Sequence, residues 1–94
     1  MASYNVTIAK SAAKDIERVP LKDRRRIVAR IRALGEDPRP PGHEKLSGDE
    51  KYRVRQGDYR ILYEIVDADL VVSVVRVGNR QQLHHNGGLA RGPR

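Results

Sequence analysis

The chain is 94 residues long, enough for one compact domain and not for two, and its core must be aliphatic because its aromatic residues are four tyrosines. The absence of cysteine excludes disulfides and thiolate metal sites, and no apolar run approaches the roughly 20 residues of a membrane span. Nineteen lysines and arginines against 12 acidic residues give a net charge of +7. With no signal-peptide pattern at the amino terminus, we expect a cytoplasmic protein without a membrane partner.

A strand and a helical hairpin are predicted first. Residues 4–8 alternate apolar and polar side chains, as a short half-buried strand does. Apolar residues recur at helical spacing over residues 12–19, and Pro20 both stops this helix and can open the next one. The second helix runs to about Leu34, and Gly35 is a reasonable stop at its C-terminus.

A loop rich in proline and glycine follows, and three strands come after it. Residues 35–51 are predicted as a loop, which is long for so small a domain, and such loops are usually functional or mobile. Short turns separate the three predicted strands, which are Tyr52–Gln56, Tyr59–Val66 and Leu70–Val77.

The order of these elements predicts the fold class. A β-α-α-β-β-β order with short hairpin turns indicates an α+β fold, a small, mostly antiparallel four-stranded sheet packed by the N-terminal helical hairpin. We expect residues 1–86 to form this single domain. Residues 87–94, rich in glycine, are expected to be a flexible tail.

Five arginines on and after the strands form a candidate binding surface. Arg53 and Arg55 are two residues apart on one strand and therefore share a face. Arg60 follows the first hairpin turn, while Arg76 and Arg80 lie at and after the end of the last strand. A meander brings these segments side by side, so the arginines can converge on the face that the helices leave open. The alternative is an exposed face whose arginines pair with nearby carboxylates.

The predicted helices carry a second basic cluster. Fourteen of the 19 basic residues are arginine, whose planar guanidinium matches phosphate, and this bias favours nucleic acid over a membrane as partner. A basic helical face that is merely solvated would give the same pattern. The candidate residues of this cluster are Arg24, Arg25, Arg26 and Arg30.

Motifs in the second half of the chain resemble a known family. Lys45–Gly48, Tyr52–Glu64 and Val77–Arg80 are similar to the signature of the RelE/ParE toxin superfamily of type II toxin–antitoxin systems. The resemblance extends from residue 4 to about residue 86. It implies a toxin that is held in check by a small, acidic cognate antitoxin.

Resemblance to the RelE-type branch also implies an activity. RelE-type members are ribosome-dependent endoribonucleases that cut messenger RNA in the ribosomal A site, where the substrate's 2′-hydroxyl attacks the adjacent phosphate without a metal or other cofactor. Arginines suit this task because they hold a phosphate and offset the charge that develops on it. The positions that match the active residues of the family are Arg53, Arg55, Arg60 and Arg80, and we expect Arg60 and Arg80 to act in catalysis and Arg53 and Arg55 to bind the substrate. Arg76 is expected to bind the substrate because the meander places it beside them, and the helical cluster is the candidate for binding ribosomal RNA.

The chain departs from the RelE pattern in two places. Arg53 and Arg55 stand where relatives have lysines, and guanidinium, with a pKa above about 12, is a poor general base. The C-terminal tyrosine typical of RelE is absent, and His84 or His85 is the candidate replacement because imidazole transfers protons near neutral pH. The alternative is that both histidines are merely exposed. They are adjacent rather than spaced to chelate, so no metal site is expected.

The same signature leaves two other functions open. A ParE-type toxin shares the fold and inhibits DNA gyrase without cleaving RNA. A catalytically inactive RNA-binding module would keep the basic surface and lack the chemistry.

Overall fold

The computed structural model describes residues 3–46 and 50–79, and these residues contain two α-helices and five β-strands. Within these residues no helix has the length and apolar character needed to cross a membrane. The elements are β1 (Asn5–Ile8), α1 (Lys10–Glu17), α2 (Leu21–Leu34), β2 (Glu44–Lys45), β3 (Lys51–Gln56), β4 (Tyr59–Val66) and β5 (Val71–Asn79), with a 3₁₀ helix at Asp67–Asp69.

The strands form one sheet in the order β1-β5-β4-β3-β2, and only β1 and β5 pair in parallel among the described strands. The predicted α+β fold with an N-terminal helical hairpin is confirmed. The predicted count of four strands was wrong by one, because the segment predicted as a loop contributes β2. Its residues Glu44 and Lys45 pair with Arg53 and Tyr52, and two residues are too few to show a strand pattern in sequence.

One face of the sheet contributes to the hydrophobic core. Tyr52 and Val54 on β3 are buried, as are their cross-strand neighbours on β4, and the apolar stripe of α2 belongs to the same cluster. Because side chains alternate along a strand, Arg53 and Arg55 project from the opposite face. The sequence predicted this division correctly.

Gly35 follows the last residue of α2 as predicted, for a different physical reason. Its φ of −68° is ordinary helical backbone, so no left-handed conformation requires glycine there. A Cβ atom would lie 3.1 Å from both the Tyr4 carbonyl oxygen and Val6 Cγ2. The Tyr4 amide donates to the Gly35 carbonyl at 2.7 Å, so glycine allows the chain at β1 to approach the end of the helix.

The proline-rich segment after α2 is held on the sheet by side-chain hydrogen bonds. The buried Tyr63 hydroxyl donates to the Pro38 carbonyl at 2.7 Å, and burial raises the pKa of Tyr63 to about 12. Arg39 donates to the two Asp67 carboxylate oxygens at 2.9 and 3.3 Å, and to the Tyr52 hydroxyl at 3.2 Å. Arg39 and Asp67 are referred to below as the loop brace.

Removing the acceptor of the loop brace should reduce stability in a pH-dependent way. Hydrogen bonds from Arg39 and then Tyr4 hold the pKa of the Asp67 carboxyl below its ordinary 3.8. A depressed folded-state pKa means that the stabilisation is present above the ordinary pKa and is lost as the pH falls through the folded value. We therefore expect Asp67→Asn to melt at a lower temperature than wild type at pH 7, with the difference shrinking below pH 3.8.

The matched control for this melting experiment is Asp69→Asn, which removes a carboxylate from the same 3₁₀ helix. Asp69 is not among the described partners of Arg39. Equal melting temperatures for wild type and Asp67→Asn at pH 7 would show that the loop brace does not stabilise the fold.

Candidate phosphate-binding site

A pocket of about 220 Å³ lies where α2 and the proline-rich segment meet β2, β3 and β4. Four guanidinium-bearing side chains and one carboxylate line it, which leaves a formal excess of three positive charges. It is referred to below as the arginine pocket, and its lining residues are Arg30, Gly42, Glu44, Arg53, Arg55 and Arg60.

Strand register explains why three of these arginines share one pocket. Arg55 lies directly opposite Arg60 in the β3–β4 ladder, and Arg53 lies opposite Glu44 in the β2–β3 ladder. Side chains placed opposite each other interact closely, and like charges in this position are unfavourable in themselves. The structure thus brings together Arg53, Arg55 and Arg60, and it concentrates positive charge where an anion can compensate it.

Glu44 supplies the carboxylate that lines the pocket. Arg53 donates from Nε to Glu44 Oε1 at 2.8 Å, and its Nη2 lies 2.7 Å from the same oxygen. This hydrogen bond and the charge of Arg53, followed by the charges of Arg60 and Arg55, hold the pKa of the Glu44 carboxyl below its ordinary 4.5. Glu44 is therefore an anion at neutral pH and a weak proton acceptor.

Arg30 reaches the arginine pocket from α2. Arg30 lies between the buried residues Ile27 and Ile31 in the sequence of the helix. Its Nε is buried and has no hydrogen-bond partner among the described residues. The charge of Arg30 also acts on the buried Tyr63, whose pKa it lowers against the larger, raising effect of burial. Its side chain lies beside the strand arginines, although the sequence groups Arg30 with the helical cluster, and its role in ribosome binding stays a prediction.

The other members of the helical cluster lie elsewhere. Arg24 donates from Nη2 to the carbonyls of Glu17 and Val19, at 3.1 and 3.2 Å, and so ties together the turn between the two helices. Arg26 is exposed on α2. A separate pocket of about 310 Å³ on this helix is lined by Arg24, Arg25, Val28, Ala29 and Arg32.

Arg76 does not line the arginine pocket. It donates from Nε to Asp15 Oδ2 at 2.8 Å and from Nη2 to Oδ1 at 3.2 Å, which raises the pKa of Arg76. The same carboxylate accepts the Val77 amide at 2.9 Å, and the Ser11 hydroxyl donates to the Val75 carbonyl. Side chains of α1 thus cover the edge of β5 beyond its pairing with β1. The substrate-binding role of Arg76 stays a prediction.

The remaining candidates for chemistry lie outside the described residues. These are Arg80, His84 and His85, and the predicted tail at residues 87–94 lies there too. Their roles also stay predictions.

Two lining residues, Gly42 and Glu44, were not predicted from the sequence. Gly42 has a φ of +90°, in the left-handed region that favours glycine, and its position after two prolines was a usable signal for a turn. Glu44 gave no comparable signal, because its place beside Arg53 depends on the unpredicted strand β2.

The chemistry available in the described pocket is binding and polarisation of an anion. Guanidinium groups donate paired hydrogen bonds to phosphate and stabilise negative charge that builds up on it. The described lining contains no group that titrates near neutral pH, since arginine stays protonated and the pKa of Glu44 is lowered. The fold and pocket therefore define a small basic α+β protein that is suited to hold a phosphate.

Comparison with known proteins assigns this chain to a family. The model of the ParE toxin of type II toxin–antitoxin systems matches residues 6–84. The chain belongs to this toxin family, within the RelE/ParE superfamily, and the resemblance found in the sequence is confirmed.

Individual relatives carry the RelE name. The putative toxin RelE1 of Methanocaldococcus jannaschii is 29% identical over 87 residues, which cover 88% of this chain and 97% of that protein. A chain of the archaeal RelE–RelB complex from Pyrococcus horikoshii is 30% identical with a TM-score of 0.75, and the match covers 83% of this chain and 96% of that one. A chain of the toxin–antitoxin complex RelBE2 from Mycobacterium tuberculosis has 26% identity and a TM-score of 0.77, with 85% and 94% covered.

Proposed function

We propose that this toxin is a RelE-type endoribonuclease that cuts messenger RNA in the ribosomal A site. The observation that carries the proposal is the arginine pocket, whose four arginines and single carboxylate favour a phosphate of a polyanion. The relatives that are 29% and 30% identical over most of both chains are named RelE, which supports this branch of the superfamily.

In this proposal the arginine pocket holds the phosphate that is cleaved. The substrate's 2′-oxygen gives up its proton and bonds to the phosphorus, while the bond from phosphorus to the 5′-oxygen of the next nucleotide breaks and that oxygen takes up a proton, which leaves a 2′,3′-cyclic phosphate. Arg60 offsets the charge that develops on the phosphate in this step, and Arg53 and Arg55 hold the flanking backbone. The ribosome fixes the message in a reactive geometry. A site that lacks a good general base depends more strongly on this positioning than a site that has one. The C-terminal segment contributes Arg80 and the histidines, and the helical arginines outside the arginine pocket bind ribosomal RNA.

The proposed protein partner is an acidic antitoxin that covers the basic surface. A net charge of +7 steers association with a negatively charged partner. The Mycobacterium tuberculosis relative is part of a toxin–antitoxin complex, and the Pyrococcus horikoshii relative is part of a complex with RelB. By analogy, the cognate antitoxin of this chain occludes the arginine pocket.

Expression without the antitoxin should arrest growth and leave transcripts cut within their translated regions. The cuts should disappear from a reporter message whose start codon is removed, because an untranslated message never enters the A site. Primer extension on matched reporters, with and without the start codon, measures this, and co-expression of the antitoxin should restore growth and intact message.

The match to the ParE family model favours a second candidate function, inhibition of DNA gyrase. Intact transcripts together with gyrase-linked DNA breaks would decide for that candidate. Growth arrest with neither cut transcripts nor DNA breaks would contradict both candidates.

A further inference from the structure

Glu44 and Arg53, which both line the arginine pocket, form an ion pair. Arg53 presents Nε and Nη2 to a single Glu44 oxygen, at 2.8 and 2.7 Å. These two nitrogens form one of the edges by which guanidinium binds an oxyanion, so a phosphate approaching this edge meets an acceptor already in place. The two residues are also direct partners in the β2–β3 ladder, which holds their backbones at a fixed separation.

We propose that Glu44 is a built-in competitor for the RNA phosphate. In the free protein its carboxylate neutralises Arg53, and a phosphate that binds this edge of Arg53 must displace it. The inference rests on the proposed function, because it takes the arginine pocket to be a site for RNA phosphate.

The position of Glu44 suits a displaceable group. Its side chain is 55% exposed and lies on the two-residue strand at the edge of the sheet, so the carboxylate can turn into solvent without disturbing the core. The side chain of Arg53 is only 24% exposed, so it has less room to move than the carboxylate. The lowered pKa of Glu44 means that its carboxylate stays charged throughout the physiological pH range.

Competition of this kind makes Glu44 a specificity determinant. RNA that is free in solution binds weakly, because it must first break the ion pair with Arg53. A message held in the A site meets the same competitor, but its own effective concentration beside the pocket is much higher, so its phosphate displaces Glu44. Glu44 therefore discriminates against RNA outside the ribosome, although it takes no part in the chemical step.

The chain offers a matched control carboxylate. Glu64 lies on β4, is paired with Lys51 of β3 at 3.9 Å, and is absent from the lining of the arginine pocket. Glu64→Gln and Glu44→Gln make the same change in net charge with nearly the same change in shape. A difference between them reports the place of the carboxylate and not the total charge.

The test measures binding of a fluorescently labelled, single-stranded RNA octamer by anisotropy, without ribosomes, between about 50 and 200 mM salt. Glu44→Gln should bind the octamer about five- to tenfold more tightly than wild type at the lowest salt. Its affinity should fall more steeply with salt, by about 0.7 in the log–log slope, since one further arginine becomes available to a phosphate. Glu64→Gln should leave the slope unchanged.

A second background isolates the ion pair. When Arg53 is replaced by alanine, adding Glu44→Gln should give no larger gain than Glu64→Gln gives, because no guanidinium remains to be released. Glu44→Ala should reproduce the gain of Glu44→Gln in the wild-type background, and melting curves establish that each variant is folded. A gain from Glu44→Gln that is equal to that of Glu64→Gln, or no gain, overturns the inference.

Failure of the proposed function gives a different result. Arg55→Ala removes a lining arginine that lies outside the Glu44–Arg53 pair, and it should weaken binding of the octamer. If Arg55→Ala binds as tightly as wild type, the pocket is not an RNA site, and the proposed function fails together with the inference. If Arg55→Ala weakens binding and Glu44→Gln does not strengthen it, only the competitor role is overturned.

Discussion

Replacing Arg60 with alanine should lower the single-turnover rate of message cleavage on the ribosome by about a hundredfold or more. Arg60 lies opposite Arg55 in the β3–β4 ladder and lines the arginine pocket, and its charge contributes to the lowered pKa of Glu44. A group in this position stabilises charge on a bound phosphate most strongly in the transition state. The rate at saturating ribosome should therefore fall while ribosome affinity changes little.

Two variants make the test of Arg60 specific. Arg25→Ala removes an arginine from the separate pocket on α2, and it should weaken ribosome binding and its salt dependence with little effect on the rate. Arg60→Lys keeps the charge and loses the planar fork, so its rate should lie between those of wild type and Arg60→Ala. Small, equal effects of Arg60→Ala and Arg25→Ala on the rate would contradict this placement of the site.

Replacing His84 with alanine should lower the same rate by about 10²- to 10⁴-fold and leave ribosome affinity nearly unchanged. The physical reason is the composition of the arginine pocket. Its described lining offers arginines that do not lose protons and a carboxylate of lowered pKa, so proton transfer needs a group from another part of the chain or from the ribosome. Imidazole is suited to this task near neutral pH.

The pH dependence of the rate separates catalysis by His84 from a structural effect. The wild-type rate should change between about pH 5.5 and 7.5, and the variant should lose that change. His85→Ala tests the neighbouring candidate. His43→Ala is the control and should keep the pH dependence, because the His43 ring is held within the fold: its Nδ1 atom lies 2.9 Å from the Pro40 carbonyl oxygen and the ring packs near Tyr52. A double variant of His84 and His85 that cleaves as fast as wild type would leave the chemistry to the arginines and the ribosome.

Much of the fold could be predicted because its signals are local. The alternation of Tyr52 and Val54 with Arg53 and Arg55 is enough to assign the two faces of β3 from the sequence alone. The spacing of apolar residues in both helices, and the turns between strands, depend on a few neighbouring residues in the same way. The position of Gly35 was also predicted, although the close approach to Tyr4 and Val6 that requires it depends on tertiary structure.

The parts of the site that could not be predicted depend on contacts between distant segments. The segment that carries Gly42 and Glu44 is positioned by the hydrogen bond from Tyr63 to Pro38 and by the loop brace. Neither contact leaves a periodic pattern in the sequence. Arg30 and Arg76 are two further examples. Arg30 was grouped with the helical arginines but lines the arginine pocket, whereas Arg76 was grouped with the strand arginines but pairs with Asp15.

Cleavage in a purified system tests the central claim most directly. Ribosomes carrying a message with one defined codon in the A site are mixed with the purified toxin, and the message is mapped by primer extension. We expect a new end within that codon with wild-type protein, no cleavage without ribosomes, and strong loss of cleavage with Arg60→Ala. An intact message at saturating toxin, with inhibition of DNA supercoiling by purified gyrase under the same conditions, would contradict the proposed RNA-cleaving function.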